Sequence, residues 1–206
     1  MNCRKIRFIM IALTAFLTSL LVQQQLLAGV GREDITKEFS DIMAKNAAYM
    51  VYYAQQDIKQ KTYPYYTGKK FASKVRTGGD WDYKQKYGTK KLYTFNGKVL
   101  SGEDMGNMHY GFVGRSATFG KNLLLSAAGA YQIYSGTSYP GWWNSYFDDP
   151  LDQAWIKYGI DLWDNNSLPK SIKKNYGSAS FDILTMEEKS SIEKEFAQDV
   201  SNNLEK

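Results

Sequence analysis

Apolar residues at Ile35, Phe39, Ile42, Met43, Ala47, Met50, Ala54 and Ile58 recur at intervals of three and four, the spacing that gathers side chains on one face of an α-helix. A long helix is predicted from Asp34 onward, and its apolar face needs partners to bury it. Tyr63-Pro-Tyr-Tyr-Thr-Gly68 is expected to stop that helix, Phe71–Val75 to form a short helix or strand, and Thr77-Gly-Gly-Asp80 to turn. Two further helices are predicted at Leu123–Tyr134 and Asp152–Trp163, the second with Trp155, Ile156, Gly159, Ile160 and Trp163 on one side. Thr185-Met-Glu-Glu188 has the capping-box spacing and opens a last helix with a stripe of Ile192, Phe196 and Val200. Against these helices stands one clear hairpin, Lys91–Phe95 and Lys98–Leu100 about Asn96-Gly97, a pair that tolerates the positive φ angles of a two-residue type I′ turn. The fold class that follows is α+β: a helix-rich single domain with a small antiparallel sheet.

The N-terminus has a different layout. MNCRKIRF is basic, Ile9 to Val22 is apolar except for Thr14, Thr18 and Ser19, and three glutamines precede Leu26-Leu-Ala28. That order matches a secretory signal peptide over residues 1–28, which leaves 29–206 as the exported domain, periplasmic or secreted. The apolar run is shorter than the roughly 20 residues that cross a bilayer, so no stable membrane span is expected after cleavage. Arg4, Lys5 and Arg7 leave with the signal, which reduces 26 basic residues to 23 against 21 acidic ones and the net charge from +5 to +2. That small excess argues against a domain-wide grip on nucleic acid. Cys3 leaves too, and a chain with no other cysteine and one histidine offers no disulfide, no thiolate nucleophile and no His- or Cys-rich zinc site. No metal and no cofactor is expected, so catalysis would fall to carboxylates, His109, Tyr, Lys or Arg.

Ser101 to Gly114, SGEDMGNMHYGFVG, concentrates Glu103, Asp104, Asn107 and His109 among four glycines just before Arg115. The glycines allow tight turns or close backbone approach. Asp104 and Asn107 would serve a site or bond to their own turn, and His109 would transfer protons or sit buried. In Asp148-Asp-Pro-Leu-Asp152, Asp149 suits the N-cap, Pro150 the first helical position and Asp152 the third. Asp148 or Asp152 would then remain as a second carboxylate for acid–base work. Extended backbone at Trp81-Asp-Tyr-Lys84 would put Asp82 and Lys84 on one face, as substrate contacts or a surface ion pair. Trp142 and Trp143 would stack on substrate rings or belong to the core. Asp82 or Lys84, the Asp104–His109 turn and the start of the helix at Asp148–Asp152 are expected to line one concave site.

Four segments together resemble the bacterial polymorphic-toxin type 44 domain: Gly79-Asp-Trp-Asp-Tyr-Lys84, Gly102–Gly114, Leu125-Ser-Ala-Ala-Gly-Ala-Tyr-Gln132, and Asp148-Asp-Pro-Leu-Asp-Gln153 continuing to Gly159-Ile160. The resemblance covers about 34–163 and leaves 164–206 as a C-terminal helical extension. It implies the toxic tip of a bacterial antagonism protein, and with it the question of a cognate immunity protein, without naming the bond attacked. Joined to the residues above, it points to a hydrolase of a cell-envelope polymer such as peptidoglycan. The alternatives are a ribonuclease using His109 with Lys84 or Arg115, and a secreted binding domain with no catalysis.

Overall fold

The computed structural model describes residues 31–169 and 183–204; the expected signal segment, 1–28, lies outside them. From Ile35 onward the chain forms one unit. Helix α1 (Thr36–Lys59) buries Phe39, Met43, Ala47, Met50 and Ala54 as the spacing requires, while Ile58 at its end is exposed. Helix α2 (Tyr65–Val75) begins inside the stretch expected to stop a helix. The cause is Asp57, a fully buried carboxylate at the end of α1. It accepts from Thr62 Oγ at 2.6 Å and from the Thr67 backbone N–H and hydroxyl at 2.8 and 2.7 Å, so it splices the two helices across a tight corner.

The hairpin pairs β1 (Leu92–Phe95) with β2 (Lys98–Ser101), Tyr93 facing Leu100 and Phe95 facing Lys98. Asn96 and Gly97 turn it with φ of 50° and 75°. A short helix, α3 (Tyr83–Tyr87), precedes it, and α4 (Gly102–Ser116) follows without a linker. Then come α5 (Lys121–Ser135), a 3-10 segment at Pro140–Ser145, α6 (Pro150–Asp164) and α7 (Met186–Leu204). The architecture is helix-rich α+β with a two-stranded antiparallel sheet.

The centre of the molecule is the pair α4 and α6. Asn107 meets Asp152 near their starts, Phe112 packs on Trp163 with ring centroids 5.3 Å apart, and Arg115 pairs with Asp164 at 2.9 Å near their ends. Contacts that rise in the same order along both helices mean that the two run parallel. They also run close. A Cβ on Gly111 would collide with the Ile156 carbonyl, and one on Gly159 with the Met108 carbonyl, so each glycine admits the other helix's backbone. Phe112, Met108, Ile156 and Ile160 fill the seam with side chains that are at most 1% exposed, each contributing about 1.5–3 kcal/mol by burial.

Helix α7 lies across α1 and α2. Ile192 and Phe196 are buried against Ala48, Tyr53 and Tyr66, and the expected capping box is present, with Thr185 Oγ accepting from Glu188 N–H and Glu188 accepting from Thr185 N–H. Much of the remaining contact is polar. Tyr49 and Tyr53 donate to Glu195 and Asp199 at 2.7 and 2.6 Å, and Lys70 pairs with both acids. A cleft of about 210 Å³ opens here, lined in part by Tyr66, Lys69, Lys70 and Asn203. Lys70 is paired there with Glu195 and Asp199, and Lys69 donates to the Asn203 amide oxygen.

Candidate active site at the paired helix starts

Because α4 and α6 run parallel, their N-termini lie at the same end of the pair. Each start exposes unbonded backbone N–H groups and the positive end of a helix dipole, which favours acidic residues there. Glu103 and Asp104 sit in the first turn of α4, Asp149 caps α6, and Asp152 lies in its first turn. The segment expected to form a glycine-rich turn is therefore a continuous helix. Ser101 caps it, its hydroxyl accepting from Asp104 N–H at 3.2 Å while Asp104 Oδ2 accepts from the Ser101 N–H and hydroxyl, both at 2.8 Å. Asp104 is thus engaged at its own helix start. Gly111 serves close packing rather than turning, and a Cβ on Gly106 would meet nothing within 4 Å.

Asp152 is the focus. It is half-buried, with Asn107 Nδ2 donating to Oδ1 at 2.8 Å and Gln132 Nε2 donating to Oδ2 at 3.1 Å. Burial first, and then the negative charges of Asp148, Glu103, Asp149 and Asp104, push its pKa up to about 7. Three helices meet at this carboxyl: α4 through Asn107, α5 through Gln132, and α6 itself. Asp148 is 2% exposed and is gripped by Gln153 Nε2 at 2.7 Å. Burial raises its pKa as well. Glu103 is exposed at the same end of the pair.

Asp149 is the N-cap that its position suggests, its Oδ1 accepting from Leu151 N–H at 2.7 Å, with Pro150 at the first helical position. Asn accepts the same bond. Asp149→Asn is therefore expected to leave activity within about twofold and stability within a few tenths of a kcal/mol, whereas Asp149→Ala costs about 1 kcal/mol, as thermal unfolding of both variants would show.

The other expected site residues lie elsewhere. The Trp81–Lys84 segment is not extended. It turns into α3, burying Trp81, Asp82 and Tyr83 together, and Asp82 accepts from Gly78 N–H at 2.8 Å in place of an ion pair with Lys84. This segment covers His109, whose ring lies 5.2 Å from Trp81 and 4.7 Å from Tyr83. Two residues beyond Asn107 on a helix, His109 points to a different side of α4 from the Asp152 contact. The three segments expected to converge therefore resolve into two that meet, the starts of α4 and α6, and one that packs on another face of α4. Arg115 stands near the end of α4, paired with Asp164 and donating to the Phe119 carbonyl at 2.7 Å, remote from the acidic starts.

His109 is completely buried, with Nε2 2.9 Å from Asn46 Nδ2, and burial lowers its pKa to about 3. An Asn46 amide N–H pointing at Nε2 makes Nε2 the acceptor, which suits a neutral ring. The unfolded chain binds a proton below about pH 6.5 that the folded chain refuses until about 3. His109 therefore costs stability progressively as pH falls through that window, on the order of 5 kcal/mol in full. His109→Gln is expected to flatten the fall in unfolding midpoint between pH 6.5 and 4. An unchanged slope would mean that the ring titrates normally.

Trp142 is half-buried with its ring 5.9 Å from Tyr139, and Trp143 is 67% exposed, so the indole of Trp143 is outside the core. Their loop is held firmly: Ser138 and Ser145 hydroxyls donate to the Phe147 and Asp148 carbonyls, both at 2.6 Å, and Gly129 leaves room for the Tyr146 carbonyl against α5. Tyr146 and Phe147 take left-handed φ of 59° and 67°, unusual for aromatic residues, just before Asp148. The residue that sequence reasoning passed over is Gln132. Its signal was its place on the same helical face as Leu125 and Gly129, the buried face of α5. Among the described residues no group of three or more His, Cys, Asp or Glu is arranged to hold a metal ion.

Residues 70–165 match the family model described as bacterial toxin 44. No curated protein and no solved structure matches the chain. The matched span runs from within α2 to just past α6, so it contains the hairpin, the parallel pair, Gln132 and every carboxylate around Asp152, and it leaves out α1 and α7. Over residues 70–165, then, the chain carries a domain of the bacterial toxin 44 family.

Proposed function

We propose that this toxin is a hydrolase whose general acid is Asp152. The observation that carries the reading is a half-buried carboxyl with its pKa near 7, held in place by two amides from two other helices and ringed by acids. A carboxyl of that pKa is still substantially protonated at neutral pH and gives up its proton readily, which suits protonation of a leaving oxygen. Glu103, exposed at the same end of the helix pair, is the carboxylate placed to take a proton from the attacking water. As the bond breaks, Asp152 ionises and Glu103 becomes protonated, and solvent exchange restores both. The separation of these carboxyls under substrate sets the stereochemistry if the bond is glycosidic, about 5–5.5 Å for retention and 6.5–9.5 Å for inversion.

The substrate proposed is a cell-envelope polymer such as peptidoglycan, reached by export through the signal-like segment 1–28, with a cognate immunity protein as the natural partner. Burial of His109 and pairing of Arg115 with Asp164 weigh against the ribonuclease reading, because they withdraw its base and one of its two candidate phosphate clamps. Inducible expression with and without residues 1–28 tests the choice. Lysis only with the segment supports the envelope reading; RNA decay only without it replaces that reading with a ribonuclease.

A further inference from the structure

The segments that build the Asp152 site, 99–114 and 122–156, carry Glu103, Asp104, Asp148, Asp149 and Asp152 without one Lys or Arg. The charges that act most on Asp152 are accordingly all carboxylates. Cations bordering these segments are turned away or engaged. Lys121 stands at the far end of α5 from Gln132, about 16 Å along the axis, and pairs with Asp161. Lys157 is turned about 140° from Asp152 around α6. Lys91, beside β1, lies over the Tyr93 ring at 4.6 Å. Even with protons on Asp148 and Asp152, the other three acids outweigh two helix starts, each worth about half a positive charge. Hydrogen bonding points the same way. The amides of Asn107, Gln132 and Gln153 each already donate to a carboxyl here. Gln153 Oε1, on a side chain only 1% exposed and beside Asp148, is a buried acceptor with no partner among the described residues. The site is rich in acceptors, so a ligand seated in it must bring donors.

We propose that the Asp152 site recognises its substrate through a protonated primary amine, carried on the polymer by an unacylated amino sugar or by a diamino-acid side chain. The proposal rests on the hydrolase reading for the identity of the site and deepens it by naming the group that is bound. An ammonium brings a positive charge and three donors with no acceptor, which answers both the charge and the acceptor surplus. A phosphodiester brings negative charge and acceptors, the two things already in excess, so polymers of that kind are repelled. Glu103 is exposed and Asp149 and Asp152 are half-buried, so the negative surface is open to a ligand arriving from solvent. A surface of one sign also concentrates ligands of the opposite sign before they dock.

The test is calorimetric titration of the Asp152→Asn protein, so that no probe is consumed, at a mildly acidic pH where amino sugars are protonated. The probes are a glucosamine hexamer and a lysine-bearing hexapeptide with blocked ends, each beside its N-acetylated form, and a hexaribonucleotide. At least one amine probe is expected to bind tenfold or more tightly than its acetylated form, and the one that does so identifies sugar or peptide as the carrier. Binding is expected to weaken at least tenfold between about 0.05 and 0.5 M salt, because screening removes a charge-driven association. Adding Glu103→Gln is expected to weaken it about threefold or more, whereas adding Asp161→Asn, at an exposed acid far along α6, leaves it within about twofold. Equal binding of free and acetylated probes, tighter binding of the ribonucleotide, no binding of any probe, or equal loss in the two added variants would each overturn the proposal. The hydrolase reading is judged apart from it: toxicity retained by Asp152→Asn removes that reading and leaves amine binding intact, while loss of amine selectivity leaves that reading standing.

Discussion

Asp152→Asn is expected to abolish toxicity and to make the protein more stable above neutral pH. Loss of a positioned general acid removes about 10²–10⁴ in rate, read as turnover on the proposed envelope polymer or as survival of expressing cells. The stability effect has the opposite sign from that of an ordinary active-site lesion. The folded chain holds the Asp152 proton up to about pH 7, whereas the unfolded chain releases it near 3.8. Asp152 therefore helps the fold most below about pH 4, and that help is lost as pH rises through 7, where ionisation among Asp148, Glu103, Asp149 and Asp104 becomes a cost. Asn carries no such cost and still offers an oxygen to Asn107 or Gln132. At pH 8 the variant is expected to gain on the order of 1–2 kcal/mol, after allowance for solvent screening of a half-exposed group, or a few degrees in unfolding midpoint. The gain should vanish below pH 4. Activity within tenfold of the unaltered protein would remove Asp152 from the mechanism, and a midpoint lowered at pH 8 would make its charge a structural asset instead.

Gly159→Ala is the substitution with the largest expected effect on the fold. The added methyl would occupy space held by the Met108 carbonyl, which is backbone and cannot rotate away. The helices must part, opening the seam filled by Phe112, Ile156 and Ile160. Overpacking of this kind costs about 3 kcal/mol or more, and Gly111→Ala, facing the Ile156 carbonyl, should behave alike. Gly106→Ala is the contrast. It lies in the same helix with open space around it and is expected to stabilise by about 0.5–1 kcal/mol. Urea unfolding of the three variants separates these outcomes, and equal effects would mean that helix propensity rather than backbone approach governs the glycines.

The elements legible in the sequence were those with a local signal. Periodicity placed α1, α5 and α6, Asn96-Gly97 placed the hairpin, and Asp149-Pro150 and Thr185-x-x-Glu188 marked where helices begin. The start of α4 carried an equally local mark, Ser101-x-x-Asp104, but four glycines in the following thirteen residues outweighed it as a sign of turning. What Gly111 among them responds to is the Ile156 backbone forty-five residues away, and nothing in its own neighbourhood says so. The same distance hid the site. Asp152 and Asn107 were visible as polar residues in suggestive company, yet the contact between them depends on α4 and α6 running parallel, which no short window encodes. His109 shows the converse: an ionisable side chain that looked chemical proved to be packed beneath Trp81, because the segment before it folds into α3 instead of extending.

Parallel helices joined through a third also govern when the site comes into being. Asn107 and Asp152 are 45 residues apart in sequence, and closing a loop of that size costs about 3 kcal/mol in chain entropy before any contact repays it. The glycine seam supplies that repayment only once both helices are formed and α5 has returned the chain to the same end, so the pairing belongs to the late, non-local part of folding. A chain threaded through a membrane channel in extended form would carry all of these carboxylates as separate, solvated and ordinary acids. Under the proposed export of an unfolded chain, the Asp152 site would therefore come into being only when these last contacts close on the far side of the membrane.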